Sequence, residues 1–398
     1  MTPVHVVGIG ADGWEGLAET ARALVRTARV VLGAPRHLDV LPEEAGQRRI
    51  AWPSPLRERL PALLDELRTE FDNGAVVALA SGDPLVAGIG STLVDLLGAD
   101  AVSVVPAVSS IALARARLRW PAESVVVVRD PATVVRHLAP GRRILVLSTN
   151  GSTPTEVAHG LGQHGFGASH LTVLANLGAA DESVRTVTAA DWSGVAPALH
   201  VLAVECVGAT AHGLLAGLPD DAFDHDGQLT KRDARASALA RLAPQPGQLL
   251  WDVGAGAGSI AIEWMRAHPT CRAIAVERAA DRATRIAANA ARLGVPGLRV
   301  ITDTAPEALD GLPKPDAVFV GGGATVPGLI DACWSTMASG GRLVVHAVTL
   351  ETEALLAREY GERGGELTRI RVEQATPLGD LTGWTPARSV TQWAVTKP

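Results

Sequence analysis

Short apolar runs alternate with amphipathic helical patterns along the first half of the chain. This alternation predicts α/β layers around a largely parallel sheet. The predicted strands are Val4–Ile9, Val30–Leu32, Val76–Ala80, Val102–Val105, Val125–Val128 and Ile144–Leu147, and the predicted helices include Leu17–Ala28 and Arg57–Phe71. After Leu171–Ala175, the pattern indicates two more strands with little helix between them, at Ser183–Thr188 and His200–Cys206. We therefore expect a mixed sheet at the end of this region.

The second half shows a separate alternation of strands and helices. Seven strands are predicted, at Leu249–Val253, Arg272–Val276, Leu298–Ile301, Ala317–Val320, Arg342–His346, Leu367–Gln374 and Val390–Thr396. Helices are predicted at Lys231–Leu242, Ser259–Arg266, Asp281–Leu293, Ile330–Met337 and Leu355–Glu362. This pattern predicts a Rossmann-like domain whose last strand pair is antiparallel. The glycine-rich, acidic stretch Ala209–Gln228 predicts a linker, so we expect domains at 1–208 and 229–398.

Composition narrows the class of protein. The 398 residues are 47% hydrophobic without a long uncharged apolar run, which is typical of a globular chain with two or three cores. An N-terminus that begins with a strand-like run predicts a cytoplasmic location. The net charge of −6 gives no support to nucleic-acid binding. The cysteines Cys206, Cys271 and Cys333 are far apart, so we expect neither a disulfide framework nor a metal site.

A glycine-rich turn follows the predicted strand Leu249–Val253. Asp252, Gly254, Gly256 and Gly258 give the spacing D-x-G-x-G-x-G before a helix, which points backbone N–H groups at a ligand. About twenty residues later, Glu277 ends the next strand, and a carboxylate there can accept hydrogen bonds from both hydroxyls of a ribose. These features together resemble the S-adenosylmethionine (SAM) site of Rossmann-like methyltransferases. The alternative is a glycine-rich turn that binds nothing.

A second glycine pattern lies near the N-terminus. Gly8, Gly10 and Gly13 match G-x-G-x-x-G after a strand, which favours an oxidoreductase that uses a nicotinamide cofactor. The next strand ends in Gly33-Ala34-Pro35-Arg36 and offers no acid for the ribose. The dinucleotide interpretation therefore lacks the context it requires.

An ordered series of short motifs spans 1–208. The strings are VVGIGADG, ARVVLG, ASGDPLVAGIG, VVPAVSSIALARARL, LSTNGSTPTEVAHGL, LANLGAADESV and LHVLAVE. In this order they resemble the tetrapyrrole (corrin) methylase family. The resemblance implies a two-lobed fold with SAM bound between two α/β halves. It also implies a cleft lined by Gly82, Asp83, Pro84, Ser109 and Ser110, although Gly-Asp-Pro is also a common plain turn.

A second series covers 229–398. The strings LTKRDARASALARL, WDVGAGAGSIAIEW, AVERAADRATRIAANAARLGV, DTAPEAL and VFVGGGAT resemble the decarboxylating precorrin methyltransferase domain, a Rossmann-like class I methyltransferase fold. By that resemblance, the residues around SAM are Thr230, Gly254, Ala255, Gly256, Ala257, Gly258, Glu277 and Ala305. Where base-modifying methyltransferases carry an N-P-P-Y type string, this chain has Val320-Gly321-Gly322-Gly323, which disfavours a nucleobase substrate.

The two halves in this order resemble the fused decarboxylating precorrin methyltransferases of cobalamin synthesis. The resemblance implies two SAM sites, one per domain, and a homo-oligomer. It implies methylation of two meso carbons of a precorrin, C5 by the first domain and C15 by the second. The second domain is also expected to remove carbon dioxide from the ring-C acetate, giving precorrin-8. A nicotinamide oxidoreductase and a non-catalytic tetrapyrrole- or SAM-binding module are the alternatives.

The implied substrate carries many carboxylates, which calls for basic side chains. Candidates are Lys231, Arg232, Arg235 and Arg388, for each of which the alternative is a solvated surface charge in an arginine-rich chain. Gly322 and Gly323 would let a flat ring approach the backbone. His346 ends an apolar strand at the edge where ligands collect, so it is either a proton donor for the decarboxylation or a core histidine.

Overall fold

The computed structural model describes residues 3–67, 76–209 and 212–398. The chain divides into two compact units, Met1–Thr210 and Ala211–Pro398. The division falls within the stretch predicted as a linker. Helices and sheets form layers in both units, so the predicted α/β fold class is confirmed. None of the helices in the described ranges has the length and apolar character needed to cross a bilayer.

The first lobe of the N-terminal unit holds a parallel sheet with strand order β3-β2-β4-β1-β5. Five successive residues of the central strand β4 are buried, because helices cover both faces of such a sheet. The strands are β1 (Val4–Ile9), β2 (Val30–Gly33), β3 (Arg48–Ala51), β4 (Val76–Ser81) and β5 (Val102–Val105). The helices are α1 (Glu19–Thr27), α2 (Pro35–Leu38), α3 (Leu56–Glu66) and α4 (Ile89–Leu97).

The second lobe holds a mixed sheet with strand order β6-β7-β10-β8-β9. Strand β10 lies between β7 and β8 and is antiparallel to both, whereas β6 and β7 are parallel, which confirms the expected mixed sheet. The strands are β6 (Val125–Val128), β7 (Arg143–Leu147), β8 (His170–Ala175), β9 (Ser183–Thr188) and β10 (His200–Glu205). The helices of this part of the chain are α5 (Ser110–Leu118) and α6 (Thr153–Gln163).

The C-terminal unit is built on a seven-stranded sheet of order β13-β12-β11-β14-β15-β19-β16. Strands β11 to β15 are parallel, and β19 is antiparallel to both of its neighbours. These strands are β11 (Leu249–Val253), β12 (Arg272–Val276), β13 (Arg299–Ile301), β14 (Ala317–Val320), β15 (Arg342–Ala347), β16 (Glu366–Ile370) and β19 (Val390–Thr396). The seven strands and the antiparallel last pair agree with the prediction.

Helices cover both faces of this sheet. They are α7 (Arg232–Leu242), α8 (Ser259–Ala267), α9 (Ala280–Arg292), α10 (Leu329–Thr336) and α11 (Leu350–Arg363). Alternate residues of β11 pack on opposite faces: Leu250 joins the core beneath α8, and Trp251 joins the core on the other side. On α9, Ala283, Ile286 and Ala290 recur at helical spacing and are buried, which explains why this stretch forms an amphipathic helix.

Part of the predicted linker packs on the C-terminal unit. Leu218, Ala222 and Phe223 are buried in the core beneath α8. Asn289 of α9 accepts a hydrogen bond from Asp224 N and donates one to Asp224 O. The stretch therefore differs from a solvated tether, because its apolar residues and backbone groups find partners on α8 and α9.

The structure contains strands that the sequence pattern did not predict. Strand β3 is short and polar, and the predicted strand Leu367–Gln374 is split between β16 and a hairpin of β17 (Glu373–Leu378) and β18 (Leu381–Pro386). The predicted helix Arg57–Phe71 corresponds to α3, and its residues 68–71 lie outside the described ranges. Helix α11 begins at Leu350, five residues before the predicted start, where Thr349 caps its N-terminus.

Candidate active sites

The turn between β11 and α8 has the backbone conformation that glycine allows. Gly254 and Gly256 have φ values of +68° and +59°. A Cβ on Gly254 would lie 2.8 Å from Gly322 O, and one on Gly256 would lie 2.7 Å from Gln228 O. Neighbouring loops thus approach the turn so closely that side chains are excluded. The backbone of Gly254–Gly256 is left as the surface that a ligand would meet.

Glu277 lies beside this turn at the carboxyl end of β12. Gly256 N donates to its Oε2 at 2.9 Å, and Ala279 N donates to its Oε1 at 3.1 Å. The residue is only 4% exposed, so these bonds fix the carboxylate. Each carboxylate oxygen can accept more than one hydrogen bond, and each accepts one here, so acceptor capacity is left for two ligand hydroxyls. The arrangement fits the ribose of an adenosine group.

A cavity of about 830 Å³ opens at the carboxyl ends of these strands. Six of the predicted cofactor residues line it: Thr230, Gly254, Ala255, Gly256, Glu277 and Ala305. Ala257 is 2% exposed, and Gly258 is the N-cap residue of α8 with a φ of +76°, so these two residues shape the turn from behind. The structure therefore brings together residues from four separate loops.

Most of the predicted substrate residues line the same cavity. Lys231, Arg232, Gly322, Gly323 and Arg388 all contribute to its wall. A Cβ added to Gly322 would meet no other atom within 4 Å, so this glycine borders open space. Basic groups and a bare backbone surface consequently lie next to the glycine turn.

The structure contradicts the prediction that Arg235 binds a substrate carboxylate. Its side chain is 0% exposed and donates to Glu263 at 2.6 Å and to Asp220 at 3.2 Å. It also donates to the backbone carbonyls of Leu218 and Thr230. Because its donors are used inside the unit, Arg235 holds the segment before α7 in place and offers nothing to a substrate carboxylate.

His346 lies at the carboxyl end of β15 and lines the cavity. Its ring packs edge-to-face on Phe319, with centroids 4.9 Å apart, and its Nε2 is 2.9 Å from Gln392 Oε1. Burial lowers the pKa of His346 to about 4, so the ring is neutral at neutral pH. A neutral ring whose Nε2 proton is held by Gln392 has no ready proton for a substrate, which argues against the predicted donor role.

Several residues near the site escaped the sequence reasoning. Arg278 and Arg282 line the cavity, and Arg282 binds Asp226 at 2.8 Å. That ion pair lowers the pKa of Asp226 to about 2 and ties its segment to α9. Arg278 directly follows Glu277 and Arg282 lies five residues after it in α9, so their position shortly after a ligand-binding acid was the available signal.

Asp252 lies beneath the glycine turn and outside the cavity. Its Oδ2 accepts a hydrogen bond from Ala261 N in the first turn of α8, and its Oδ1 has no partner among the described residues. Complete burial raises the pKa of Asp252 to about 7. The acid therefore supports the turn by binding an N–H group at the start of α8.

The N-terminal unit gathers three strand ends around Gly8. A Cβ on Gly8 would lie 2.0 Å from Gly82 O and 2.6 Å from Ala107 N. Gly82 has a φ of +57°, and Ala107 N donates to its carbonyl at 3.3 Å. The loops after β1, β4 and β5 thus meet at one edge of the parallel sheet, where ligands of such sheets collect.

The predicted cleft residues of this unit lie on two of those loops. A Cβ on Gly82 would be 3.2 Å from Ser109 Cα, so the Gly-Asp-Pro turn and the start of α5 are in contact. Asp83 Oδ1 accepts from Leu85 N, Pro84 is buried, and Ser109 caps α5 by accepting from Ala112 N. Ser110 is the first residue of α5 and is half-buried.

Arg36 lies beside this turn and was not among the predicted cleft residues. Its Nη2 donates to Ser81 Oγ at 2.6 Å, and Ser81 directly precedes Gly82. His37 Nε2 is 3.3 Å from the same hydroxyl. Helix α2, which follows β2, therefore also reaches the carboxyl end of β4.

The same geometry explains the G-x-G-x-x-G spacing without a dinucleotide. Gly8 is required by the close approach of Gly82, and a Cβ on Gly10 would lie 2.4 Å from Asp12 Oδ1. A short 3₁₀ turn follows at Gly13–Gly16, and α1 begins only at Glu19. No long helix therefore starts directly at this turn, as the dinucleotide fingerprint needs.

Comparisons with known proteins cover both units. A family model for tetrapyrrole (corrin/porphyrin) methylases matches residues 3–192, and one for a precorrin methyltransferase domain matches residues 221–397. The chain is 44% identical over 400 residues to a precorrin-6Y C(5,15)-methyltransferase (decarboxylating) from a Sinorhizobium species, spanning 98% of this chain and 96% of that protein.

Two shorter proteins match part of the chain. A cobalt-precorrin-6B C(15)-methyltransferase (decarboxylating) from Salmonella typhimurium is 32% identical over 155 residues, 38% of this chain and 80% of that protein. A crystal structure of the C-terminal domain of precorrin-6Y C5,15-methyltransferase from Rhodobacter capsulatus is 45% identical with a TM-score of 0.45, covering 47% of this chain and 100% of that one.

The two family models and the Sinorhizobium relative confirm the two resemblances drawn from the sequence motifs. They set aside a nicotinamide oxidoreductase and a binding module without catalysis. Because the match to the Sinorhizobium protein extends over nearly the whole of both chains, this chain belongs to the precorrin-6Y C5,15-methyltransferase (decarboxylating) family.

Proposed function

We propose that the C-terminal unit binds SAM at the glycine turn and methylates a precorrin in the adjoining part of the cavity. The observation that carries this proposal is the meeting of the bare turn Gly254–Gly256 with the fixed carboxylate of Glu277 at one cavity wall. Thr230 and Ala305 border the same space. When bound, SAM supplies an electrophilic methyl group on its sulfonium.

The chain's main task is then to hold a nucleophilic carbon in line with that methyl group. A meso carbon of a reduced tetrapyrrole is electron-rich because it is conjugated to the ring nitrogens. Lys231 and Arg388 are positioned to bind the acetate and propionate carboxylates that surround such a ring. The open space over Gly322 lets the flat ring approach the backbone.

We assign the C15 methylation and the decarboxylation to this same unit. The short Salmonella relative carries both activities in its name, which supports one site for both steps. The cavity offers cationic groups for a carboxylate, and its walls can exclude water from the group that leaves as carbon dioxide.

We assign the C5 methylation and a second SAM site to the N-terminal unit. The support is the convergence of Gly8, Gly82 and Ser109 at one sheet edge, together with the tetrapyrrole methylase match to residues 3–192. The domain limits 1–208 and 229–398 are part of this proposal. The segment containing Leu218 and Phe223 precedes the second of these limits, but we add it to the second domain because it packs in that core.

A SAM titration of the full chain tests the two-site proposal. We expect two equivalents to bind per chain. Gly254→Ala should remove one of them, because the new Cβ would lie within 2.8 to 3.0 Å of the Gly322 backbone. Gly297→Ala is the matched control, since nothing lies within 4 Å of its Cβ position. A single equivalent on the unaltered chain, or two on Gly254→Ala, would contradict the proposal.

A further inference from the structure

A buried polar chain leads from the cavity to the surface of the C-terminal unit. His346 on β15 pairs directly with Gln392 on β19, and the His346 Nε2 to Gln392 Oε1 distance is 2.9 Å. Gln392 is 0% exposed and its Nε2 donates to Ser237 Oγ at 3.3 Å. Arg241 Nη1 donates to the same hydroxyl at 3.0 Å, and Arg241 Nε donates to Glu366 at 3.0 Å.

This chain fixes the tautomer of the histidine. The Gln392 amide nitrogen donates a hydrogen bond to Ser237 Oγ, and the amide oxygen therefore faces the imidazole. An amide oxygen accepts hydrogen bonds and cannot donate one, so His346 carries its proton on Nε2. The lone pair of the neutral ring is consequently on Nδ1.

Nδ1 is the free end of the chain. It makes no hydrogen bond to any residue in the described ranges. It is also not one of the fully buried polar atoms without a partner, so it has some exposed surface. Since His346 is 8% exposed and lines the cavity, the open part of the ring includes this nitrogen. The cavity therefore contains one oriented, neutral proton acceptor on β15.

We propose that His346 Nδ1 accepts the proton that the meso carbon loses after methylation in this cavity. The inference rests on the proposed function of the C-terminal unit. In the first step a carbon–carbon bond forms, and the carbon–sulfur bond breaks with its electron pair going to sulfur. The ring then carries one positive charge, and the meso carbon holds both the new methyl group and its original hydrogen.

In the second step the carbon–hydrogen bond breaks. Its electron pair returns to the conjugated ring and restores neutrality, and the proton moves to Nδ1. A carbon next to a cationic conjugated system is acidic, so a histidine whose pKa burial has lowered to about 4 is basic enough for this transfer. Gln392 acts as a positioning residue, because it keeps the ring in the tautomer that leaves Nδ1 open.

The test is methyl transfer by the full chain with labelled SAM and a precorrin-6Y-type substrate, with methylation at each carbon resolved by mass spectrometry. His346→Ala should lower the rate at C15 by at least about a hundredfold. SAM affinity should be unchanged, because Glu277 and the glycine turn remain intact. Added imidazole should restore part of the C15 rate, which a merely structural defect would not allow.

Two further variants sharpen the result. Gln392→Leu should lower the C15 rate and leave SAM affinity unchanged, because it frees the tautomer without removing the base. His200→Ala is the control, since His200 is a buried histidine of the N-terminal unit. It should leave the C15 rate unchanged.

The outcomes separate this inference from the function on which it rests. A native chain that adds no methyl group at C15 would contradict the proposed function itself. A native chain that is active, with His346→Ala equally active, would overturn only the role of His346. Loss of the C15 rate that imidazole does not reverse would assign His346 a structural role and would also overturn the inference.

Discussion

At the scale of single residues, the ligand-binding chemistry of the C-terminal unit depends most on Glu277. Glu277→Ala removes a carboxylate that two backbone N–H groups hold in place. Loss of its charge-assisted bonds to a ribose should weaken SAM binding at one site by roughly 1.5–3 kcal/mol. Calorimetry on the full chain measures this, with the exposed Glu373→Ala as control. An unchanged affinity would mean that another residue binds the ribose.

Asp252 gives a prediction about pH. Burial raises its pKa from 3.8 to about 7, so the folded chain binds this proton more tightly than the unfolded chain does. The free energy of unfolding should therefore fall as pH rises from about 4 to about 7, by at most about 1.4 kcal/mol per pH unit. Asp252→Asn removes this contribution.

Denaturant unfolding at pH 5 and pH 8 checks the sign. The free energy of unfolding of Asp252→Asn minus that of the native chain should be more positive at pH 8 than at pH 5. Asp310→Asn changes an exposed position and serves as the control. Its free energy of unfolding should differ from that of the native chain by the same amount at both pH values. An Asp252→Asn difference that does not change with pH would show that the carboxyl titrates normally.

Residue roles were predictable where the spacing itself encodes them. The turn glycines and Glu277 fall at fixed distances from strand ends, so the sequence located them correctly at one cavity. Arg235 was wrongly predicted to bind substrate, because a sequence does not reveal that Glu263 and Asp220 fold over an arginine. The proton on His346 depends on Gln392, which is 46 residues away and adjacent only in the sheet.

At the scale of elements, the segment before α7 is part of the C-terminal fold. Phe223 is 3% exposed, and Arg235 lies 4.8 Å from its ring centroid. Phe223→Ala should lower the stability of the C-terminal unit by about 3–5 kcal/mol. Leu215→Ala is the control in the same segment, because Leu215 is 89% exposed. Urea unfolding of the full chain should show a large loss for the first variant and almost none for the second.

Equal effects of these two variants would indicate that the segment is a tether without a part in the core.

Elements with a clear period were predictable, as shown by all five parallel strands of the C-terminal sheet. The β17–β18 hairpin was not, because its exposed strands have no buried face to create an alternating pattern. Strand β3 was missed for the same reason: it is short, polar and lies at a sheet edge.

At the scale of the whole molecule, we propose that copies of the chain associate through that hairpin. Leu378, Leu381 and Trp384 are 70 to 76% exposed, and the family resemblance implies a homo-oligomer. Trp384→Lys should shift the protein to a smaller species in sedimentation at micromolar concentration. Val195→Lys should not, although Val195 is 80% exposed in the other unit. A native chain that sediments as a monomer would refute the association.

We expect each unit to transfer one methyl group and the C-terminal unit alone to remove carbon dioxide. The mass of the product formed from labelled SAM and a precorrin-6Y-type substrate measures how many methyl groups each variant adds and whether carbon dioxide is lost. Gly82→Val should block the N-terminal site, because its φ is +57° and Ser109 lies 3.2 Å from the new Cβ. Gly254→Val should block the C-terminal site.

Gly82→Val should still add one methyl group and release carbon dioxide. Gly254→Val should add at most one methyl group and release none, and a mixture of the two variants should give the product with two methyl groups and one carboxylate fewer. Release of carbon dioxide by Gly254→Val, or failure of the mixture to restore the full product, would show that the two units do not divide the reactions in this way.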